Sequence, residues 1–527
     1  MATISDGSSL FTSPAIVLPL LVFIYWYILH PAFVSPLRKI PAAHWSCSVS
    51  PAWILWARFR SRENRTLYTA HKQHGPIVRI GPNELSINSI EGVKTVYQGG
   101  FDKHEWYSVF DNYGVPCMFS SVHSKQHSIR KRMVSHVYSK SYISSSPSLA
   151  AQADIILNSR LVPLLEASMS ASQIPHGIDV HSLFCAVAMD FISAYCFGLR
   201  RGANFIQHQA LRDHWLRLYS TRKGHEFFAQ ELPRVSRALA RLGISLTPGW
   251  VGGANRELEA WCKAHSDAAL RHLRSSSSSS SLHTADDPVV VRALLSGLAK
   301  EGEPPAELAV ASEVLDHVLA GQETTGVALT YLAHQLSRSP GLQRQLRAEL
   351  RELQPDMRLR GGDCVALPAP KQLDALPLLD AVIVETVRRY APAGGPEPRV
   401  TPAPACRIGP YEVPGGVRVS ASAFNLHRDE KVFPDPETWD HTRWLVPSGE
   451  EGRKREVHRQ FWGFSSGGRM CLGSNFAMHA MKLTVAAIYT NYTSHIVDDK
   501  GAEPTDAYTG HPKSDSLYLR FERVTED

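Results

Sequence analysis

The chain has 527 residues, 43% of them hydrophobic, which allows a large core and excludes a disordered or fibrous polymer. Its 56 Lys and Arg against 50 Asp and Glu give a net charge of +6, too weak to imply a nucleic-acid partner. Eight cysteines lie scattered with no C-x-x-C pair, which sets aside a disulfide scaffold or a zinc ribbon and suits reduced, cytosol-facing thiols.

From Gly7 to Leu37 no Asp, Glu, Lys or Arg occurs, and residues 14–34, PAIVLPLLVFIYWYILHPAFV, form a mostly apolar run. Its length is close to the ~20 residues a helix needs to cross a bilayer. Trp26 and Tyr27 suit an interface, and Arg38–Lys39 follow at once, so the positive-inside tendency places the bulk of the chain in the cytosol. A cleaved signal peptide usually carries a positive leading region, whereas only Asp6 is charged before this run, so an uncleaved anchor is expected.

Residues 77–88, IVRIGPNELSIN, predict strand, Gly-Pro turn, strand, and Ser89 predicts an N-cap with Glu91 in the first helical turn. An irregular aromatic segment follows over 101–119, and helical patterns dominate from about 123 to 390. Within HSIRKRMVSHVYS (127–139) and just before it, His123 and His127 are spaced i, i+4; with no acidic partner motif they read as surface-facing histidines on a basic helix. The run Ser275–Ser281 predicts a flexible surface loop. From 396 to 470 Pro and Gly are dense and strands are expected to be short. The basic run RKREVHR (453–459) reads either as a face for an acidic protein or as a solvated charged surface.

The longest helical signal runs from about Pro305 to Arg338, with Val310, Val314 and Val318 continued by Leu329, Ala333 and Leu336. AGQETT (320–325) interrupts it. Gly321 costs about 1 kcal/mol of helix propensity relative to Ala, and a carboxylate beside two threonines is expensive on a buried helix unless it is used.

FSSGGRMCLG (464–473) satisfies F-x-x-G-x-R-x-C-x-G at Phe464, Gly467, Arg469, Cys471 and Gly473. The pattern resembles the haem-binding loop of the cytochrome P-450 family, and the resemblance extends over nearly the whole chain. It implies that Cys471 supplies a thiolate ligand to haem iron, that Phe464 shields the sulfur and that Arg469 pairs a propionate; Gly467 and Gly473 would let the backbone turn close to the porphyrin. AGQETT is similar to the oxygen-binding groove, where Thr324 would hydrogen-bond dioxygen and Glu323, an Asp in most members, would relay protons. ETVR gives Glu385 and Arg388, an i, i+3 pair that with Arg443 of DHTRWL would brace the cysteine loop. ELPR (231–234), EEGR (450–453) and EVHR (456–459) satisfy the same spacing, and helical setting and position single out the pair at 385. Arg399 in PEPRV matches a propionate arginine. The family's W-x-x-x-R is absent; His127 and Lys131 occupy those positions, with Arg130 and Arg132 alongside, so which side chain reaches the propionate stays open.

The resemblance implies a mainly α fold with a small β portion behind a transmembrane helix: residues 1–40 as anchor and linker and 41–527 as one catalytic domain, although length alone suggests two to four domains. It implies a monooxygenase of the fungal microsomal type that tailors secondary metabolites, inserting one oxygen atom of O2 into a small apolar substrate on haem b. Electrons would come from NADPH through NADPH-cytochrome P-450 reductase, with cytochrome b5 as a further partner, at the endoplasmic reticulum membrane. The chain has no G-x-G-x-x-G or G-x-x-x-x-G-K-[ST] of its own. The rivals are a rearranging or coupling enzyme on the same scaffold, or a haem sensor; neither needs the Thr324–Glu323 pair.

Overall fold

Valines spaced four apart stack on one side of a helix, and here that stripe fixes the axis of the molecule. A computed structural model describes residues 14–170, 177–276, 284–300, 307–359, 365–447 and 449–524. The central helix runs Glu307–Ser337, within two residues of the predicted ends, and Val310, Val314, Val318, Leu329, Ala333 and Leu336 are all buried. It packs on the helix Val180–Phe197, every residue of which is buried. That second helix is long and apolar enough to cross a membrane, but its burial marks it as a core element. Gly321 is needed at the crossing: a Cβ there would lie 2.9 Å from Ile192 Cγ1. Helix propensity is given up for close approach.

Among the described residues, nine short strands make the β portion. β1 (Ile77–Gly81) and β2 (Glu84–Ile87) pair antiparallel with Ile77 opposite Ile87, as the Gly-Pro turn predicts. Ser89 caps the following helix Ile90–Val93, its hydroxyl accepting the Gly92 N–H. β3 (Ile178–Asp179) joins a second sheet. β4 (Arg399–Val400), the hairpin β5 (Ala405–Ile408) and β6 (Tyr411–Pro414), and β7 (Arg418–Ser420) come from the Pro- and Gly-rich stretch. β8 (Tyr492–Asp498) and β9 (Tyr518–Arg523) follow. One sheet has the order β1-β2-β7-β4, with β2 and β7 parallel, a second the order β3-β9-β8, and the hairpin β5-β6 stands as a third. The chain is mainly helical with a small sheet portion, as expected. The serine run begins inside the helix Gly249–Ser276, so its first two residues are helical; the rest lies outside the described residues.

The N-terminal apolar stretch is helical, Pro14–Ile24 continued as a wider-wound turn over Tyr25–Val34, and nothing in Val17–Val34 is buried. Its far end is tied to the body, because Arg79 Nη1 donates to the Pro31 carbonyl at 3.1 Å. Leu37 and Ile40 are 1% and 3% exposed and pack with Ile77, Ile87 and Val413, so the core reaches ahead of the expected boundary at residue 41. Deleting residues 1–30 is therefore expected to leave the melting temperature unchanged. Deleting residues 1–41 removes two buried apolar side chains and is expected to lower unfolding free energy in urea by about 3–6 kcal/mol.

Candidate functional site

A cavity of about 810 Å³ separates the central helix from the loop that carries Cys471. The loop is shaped by one residue that has to be glycine: Gly467 has φ +74°, and a Cβ there would sit 2.2 Å from the Tyr97 carbonyl oxygen. The turn closes when the Cys471 N–H donates to the Phe464 carbonyl at 2.9 Å. Phe464, Arg469, Cys471 and Gly473 all border the cavity. Cys471 is the one exposed cysteine among the described residues, and the surface it exposes is cavity wall. Burial pushes its thiol up to about 11, against the pull of the Gly473 and Ser474 N–H groups that point at the sulfur. Those groups begin the helix Ser474–Asn491, so a helix N-terminus faces the sulfur.

On the other wall, Ala320, Gly321 and Thr324 of the central helix face the same space. The Thr324 hydroxyl donates to the Ala320 carbonyl at 2.8 Å. Glu323 is buried and accepts from Tyr219 Oη at 2.6 Å, Lys223 Nζ at 2.6 Å and Thr509 Oγ1 at 3.0 Å. Burial alone would raise its pKa, but the Lys223 charge and these donors outweigh it and hold the carboxyl below its ordinary value.

Cations gather at one side of the cavity in excess of their partners. Arg399, 2% exposed, donates to Tyr107 Oη at 3.0 Å and pairs with Glu397 at 3.3 Å. Arg469 donates to the Ser121 and Val122 carbonyls, each at 2.6 Å; burial and then Arg399 draw it down to about 10. His127 is buried and borders the cavity, contrary to its surface-facing reading, while His123 is exposed as expected. The helical period places a residue on a face; it does not say whether that face meets solvent or an internal cavity. Burial, then Arg469, Lys103 and Lys131, push His127 down to about 3. Lys131 Nζ donates to the Gly468 carbonyl at 2.8 Å, and Arg130 lies 3.4 Å from Glu313 Oε2, so neither neighbour of His127 points into the cavity. Lys103, which the sequence did not single out, does. It is buried, donates to the Phe119 carbonyl at 2.5 Å, and sits 4.0 Å over the Tyr107 ring. Burial and then Arg399 and Arg469 hold its pKa well below the ordinary lysine value. A lone lysine in an aromatic segment carries no periodic signal that would have found it.

The three residues expected to brace the loop are brought together. Glu385 and Arg388 lie on the helix Pro377–Tyr390, fully shielded from solvent, joined by two hydrogen bonds of 2.8 Å. Arg443 Nε approaches Glu385 at 3.6 Å, a looser contact. Two further donors complete the carboxylate: the Trp444 indole N–H at 2.9 Å and the Asp440 N–H at 2.8 Å. Arg388 in turn donates to the carbonyls of His427, Pro436 and Thr438. The His427 ring spans from the Arg388 carbonyl to the Trp462 N–H, which enters the cysteine loop. His427 and Trp444 were missed as functional residues, though Trp444 stands inside DHTRWL, next to Arg443. The rival Glu231 is claimed by Arg58 at 2.9 Å and Arg418 at 2.8 Å, while Arg234 is exposed.

Glu385→Ala leaves Arg388 and Arg443 as buried cations without their carboxylate, held by backbone carbonyls alone. Unfolding free energy in urea is expected to fall by about 3–5 kcal/mol, against no measurable loss for the exposed Glu450→Ala.

The family model described as Cytochrome P450 matches residues 49–517 of the chain. Among curated relatives, Cytochrome P450 monooxygenase hkm5 of Aspergillus hancockii is 27% identical over 502 residues, 92% of this chain and 90% of the relative. Cytochrome P450 monooxygenase aflV of Aspergillus parasiticus is 27% identical over 472 residues, 88% and 86% of the two chains. Cytochrome P450 monooxygenase avaI of Aspergillus versicolor is 28% identical over 428 residues, covering 78% and 93%.

Proposed function

The chain belongs to the cytochrome P450 family and is a monooxygenase, and on that premise we propose how its own residues carry the reaction. The family implies a haem with a cysteine thiolate ligand, and the residues bordering the cavity fit one. The observation that carries this reading is a shortage of anions: Lys103, Arg399 and Arg469 crowd one side of a cavity into which the Cys471 sulfur also opens, with the His127 imidazole, neutral by its lowered pKa, beside them. Two propionates would relieve that repulsion, and Gly473, whose missing Cβ would meet nothing within 4 Å, leaves room beside the sulfur for a flat ring.

In this reading the Cys471 sulfur would ligate the haem iron with Phe464 shielding it, and Arg399, Arg469, Lys103 and His127 would hold the propionates; Lys131 fastens the loop through the Gly468 carbonyl. Bound haem supplies the activation of O2 for transfer of one oxygen atom to substrate. Thr324 holds a proton donor at the cavity face, since its hydroxyl is anchored at Ala320 yet keeps lone pairs free to accept. Glu323 is reached only by Tyr219, Lys223 and Thr509 among the described residues, and Lys223, about a quarter exposed on its side chain, links it to solvent. Glu385, Arg388 and Arg443 act on the loop's position and touch nothing that reacts.

The exposed apolar helix Val17–Val34 supports a single-pass anchor with the catalytic part, from about residue 37, in the cytosol at the endoplasmic reticulum membrane. The fungal relatives support a tailoring oxidation of a small, largely apolar molecule in secondary metabolism. Electrons then come from NADPH through a separate reductase, with cytochrome b5 as an additional donor.

Reduced protein under CO is expected to show the strongly red-shifted Soret band of a thiolate-ligated haem, and Cys471→Ala to lose it. An imidazole-type carbonyl spectrum in the wild type would overturn the reading. Thr324→Ala should keep that band while peroxide released per NADPH rises in a reductase-coupled assay, because losing one positioned proton donor slows its step about 10²–10⁴-fold. Unchanged coupling would remove the proton-holding role from Thr324.

A further inference from the structure

Two turns before Thr324 on the central helix, Asp316 also borders the cavity. Its carboxylate has neither a hydrogen bond nor an ion pair among the described residues, and that sets it apart. Every other carboxylate in its surroundings is occupied. Glu313 accepts the Met118 N–H at 2.9 Å and lies 3.4 Å from Arg130. Glu323 is held by three donors. Groups that could have turned toward Asp316 are directed elsewhere: Lys103 to the Phe119 carbonyl, Arg222 to Asn112 Oδ1 at 3.1 Å, and His317 Nδ1 to Tyr138 Oη at 3.0 Å, with its Nε2, which has no hydrogen-bond partner among the described residues, 3.8 Å from Glu313. In the loaded enzyme the propionates would take up Lys103 as well.

An apolar ligand filling this cavity would strip water from the Asp316 carboxylate and return nothing, an unfavourable exchange. A ligand with a positive charge at that end would restore what burial removes. Phe110 stands in the same cavity, edge-on to Phe119 with ring centroids 5.1 Å apart, and its ring can meet such a cation, whereas Phe119 already carries Lys103 Nζ 4.1 Å from its centroid.

We propose that Asp316 determines substrate specificity by anchoring a positively charged group, so that the substrate is an organic cation such as a protonated amine with an apolar body. This rests on the monooxygenase reading above and refines its substrate class. Eight residues separate Asp316 from Thr324, about 12 Å along the helix, so charge and oxidised carbon belong at opposite ends of the molecule. Burial, then the neighbouring Glu313, push the Asp316 carboxyl up to about 6, which leaves it charged at neutral pH. Glu313 and His317 on the same helix, and Lys103, Arg222 and Cys117 from the facing segments, are the other titratable or charged groups around it.

The probes are trimethyl(4-phenylbutyl)ammonium, which cannot ligate iron, and its neutral isostere with tert-butyl in place of trimethylammonium. Binding to the full-length haem-loaded protein is measured by equilibrium dialysis. The wild type is expected to hold the cation about ten-fold or more tighter than the isostere near pH 8, and Asp316→Asn to bring the two within about two-fold. Below the carboxyl pKa the charge is lost, so wild-type affinity for the cation should fall about ten-fold between pH 8 and pH 5. In Asp316→Asn that pH dependence should vanish, which separates Asp316 from His317; Asp316→Ser serves if the Asn variant does not load haem. Equal wild-type affinities for the two probes, or a cation preference that survives in the variant, would overturn the assignment. Failure of the underlying reading looks different: the wild type would then lack the red-shifted carbonyl band altogether.

Discussion

The buried pair Glu385–Arg388 is the interaction on which the rest of the site depends. Both side chains are wholly out of water, a state tolerable only when every lone pair and proton is used. Here nearly all are. The carboxylate takes Arg388, Trp444 and the Asp440 backbone, and the guanidinium takes three carbonyls from the strand-poor stretch 427–438. A helix is thereby sewn to a segment with almost no regular structure of its own, and His427 passes the constraint to Trp462 at the head of the cysteine loop. An irregular loop placed this way can hold a sulfur in a fixed position without a sheet or helix of its own beneath it. Only at its far side does regular structure resume, where the helix Ser474–Asn491 begins.

The cavity shows the opposite electrostatic condition. Where the bracing cluster is satisfied, this group is short of anions: burial, and then mutual repulsion, depresses Lys103, Arg469 and His127, while Arg399, held by Tyr107 and Glu397, is raised. A protein keeps such repulsion only where something else offsets it, which is why the deficit points to a bound dianion more sharply than the shape of the cavity does. The two conditions are complementary: a well-paired frame lets an unpaired pocket exist without collapsing onto its own counter-charges.

Much of this was legible in the chain because it is local. The cysteine loop, the central helix and the β1–β2 hairpin are each encoded by residues a few positions apart. The Glu385 pair was legible through its i, i+3 spacing and its distance from the loop, although three other stretches share the spacing. What stayed hidden depends on contacts far apart in sequence. Trp444 and Lys103 have no periodic signature, and Glu231 lay in an ExxR pattern whose real partners, Arg58 and Arg418, are distant. His127 was misplaced for a related reason, since a polar face can point at a cavity as readily as at solvent.

Asp316 carries that point one step further. On a helix buried for most of its length, the positions left open to the cavity are Asp316, Ala320, Gly321 and Thr324 with few others. Small residues at 320 and 321 make room, and a hydroxyl at 324 makes a donor and acceptor without charge. A carboxylate at 316 does neither of these things. Its desolvation weakens the protein when the cavity fills with an apolar molecule, and no side chain nearby turns to meet it. Sequence alone registers it as one more polar residue near the start of a long helix. Its meaning arises only when the fold places it beside an enclosed space and gives every neighbouring cation another partner, so that its natural counter-charge has to arrive with the substrate.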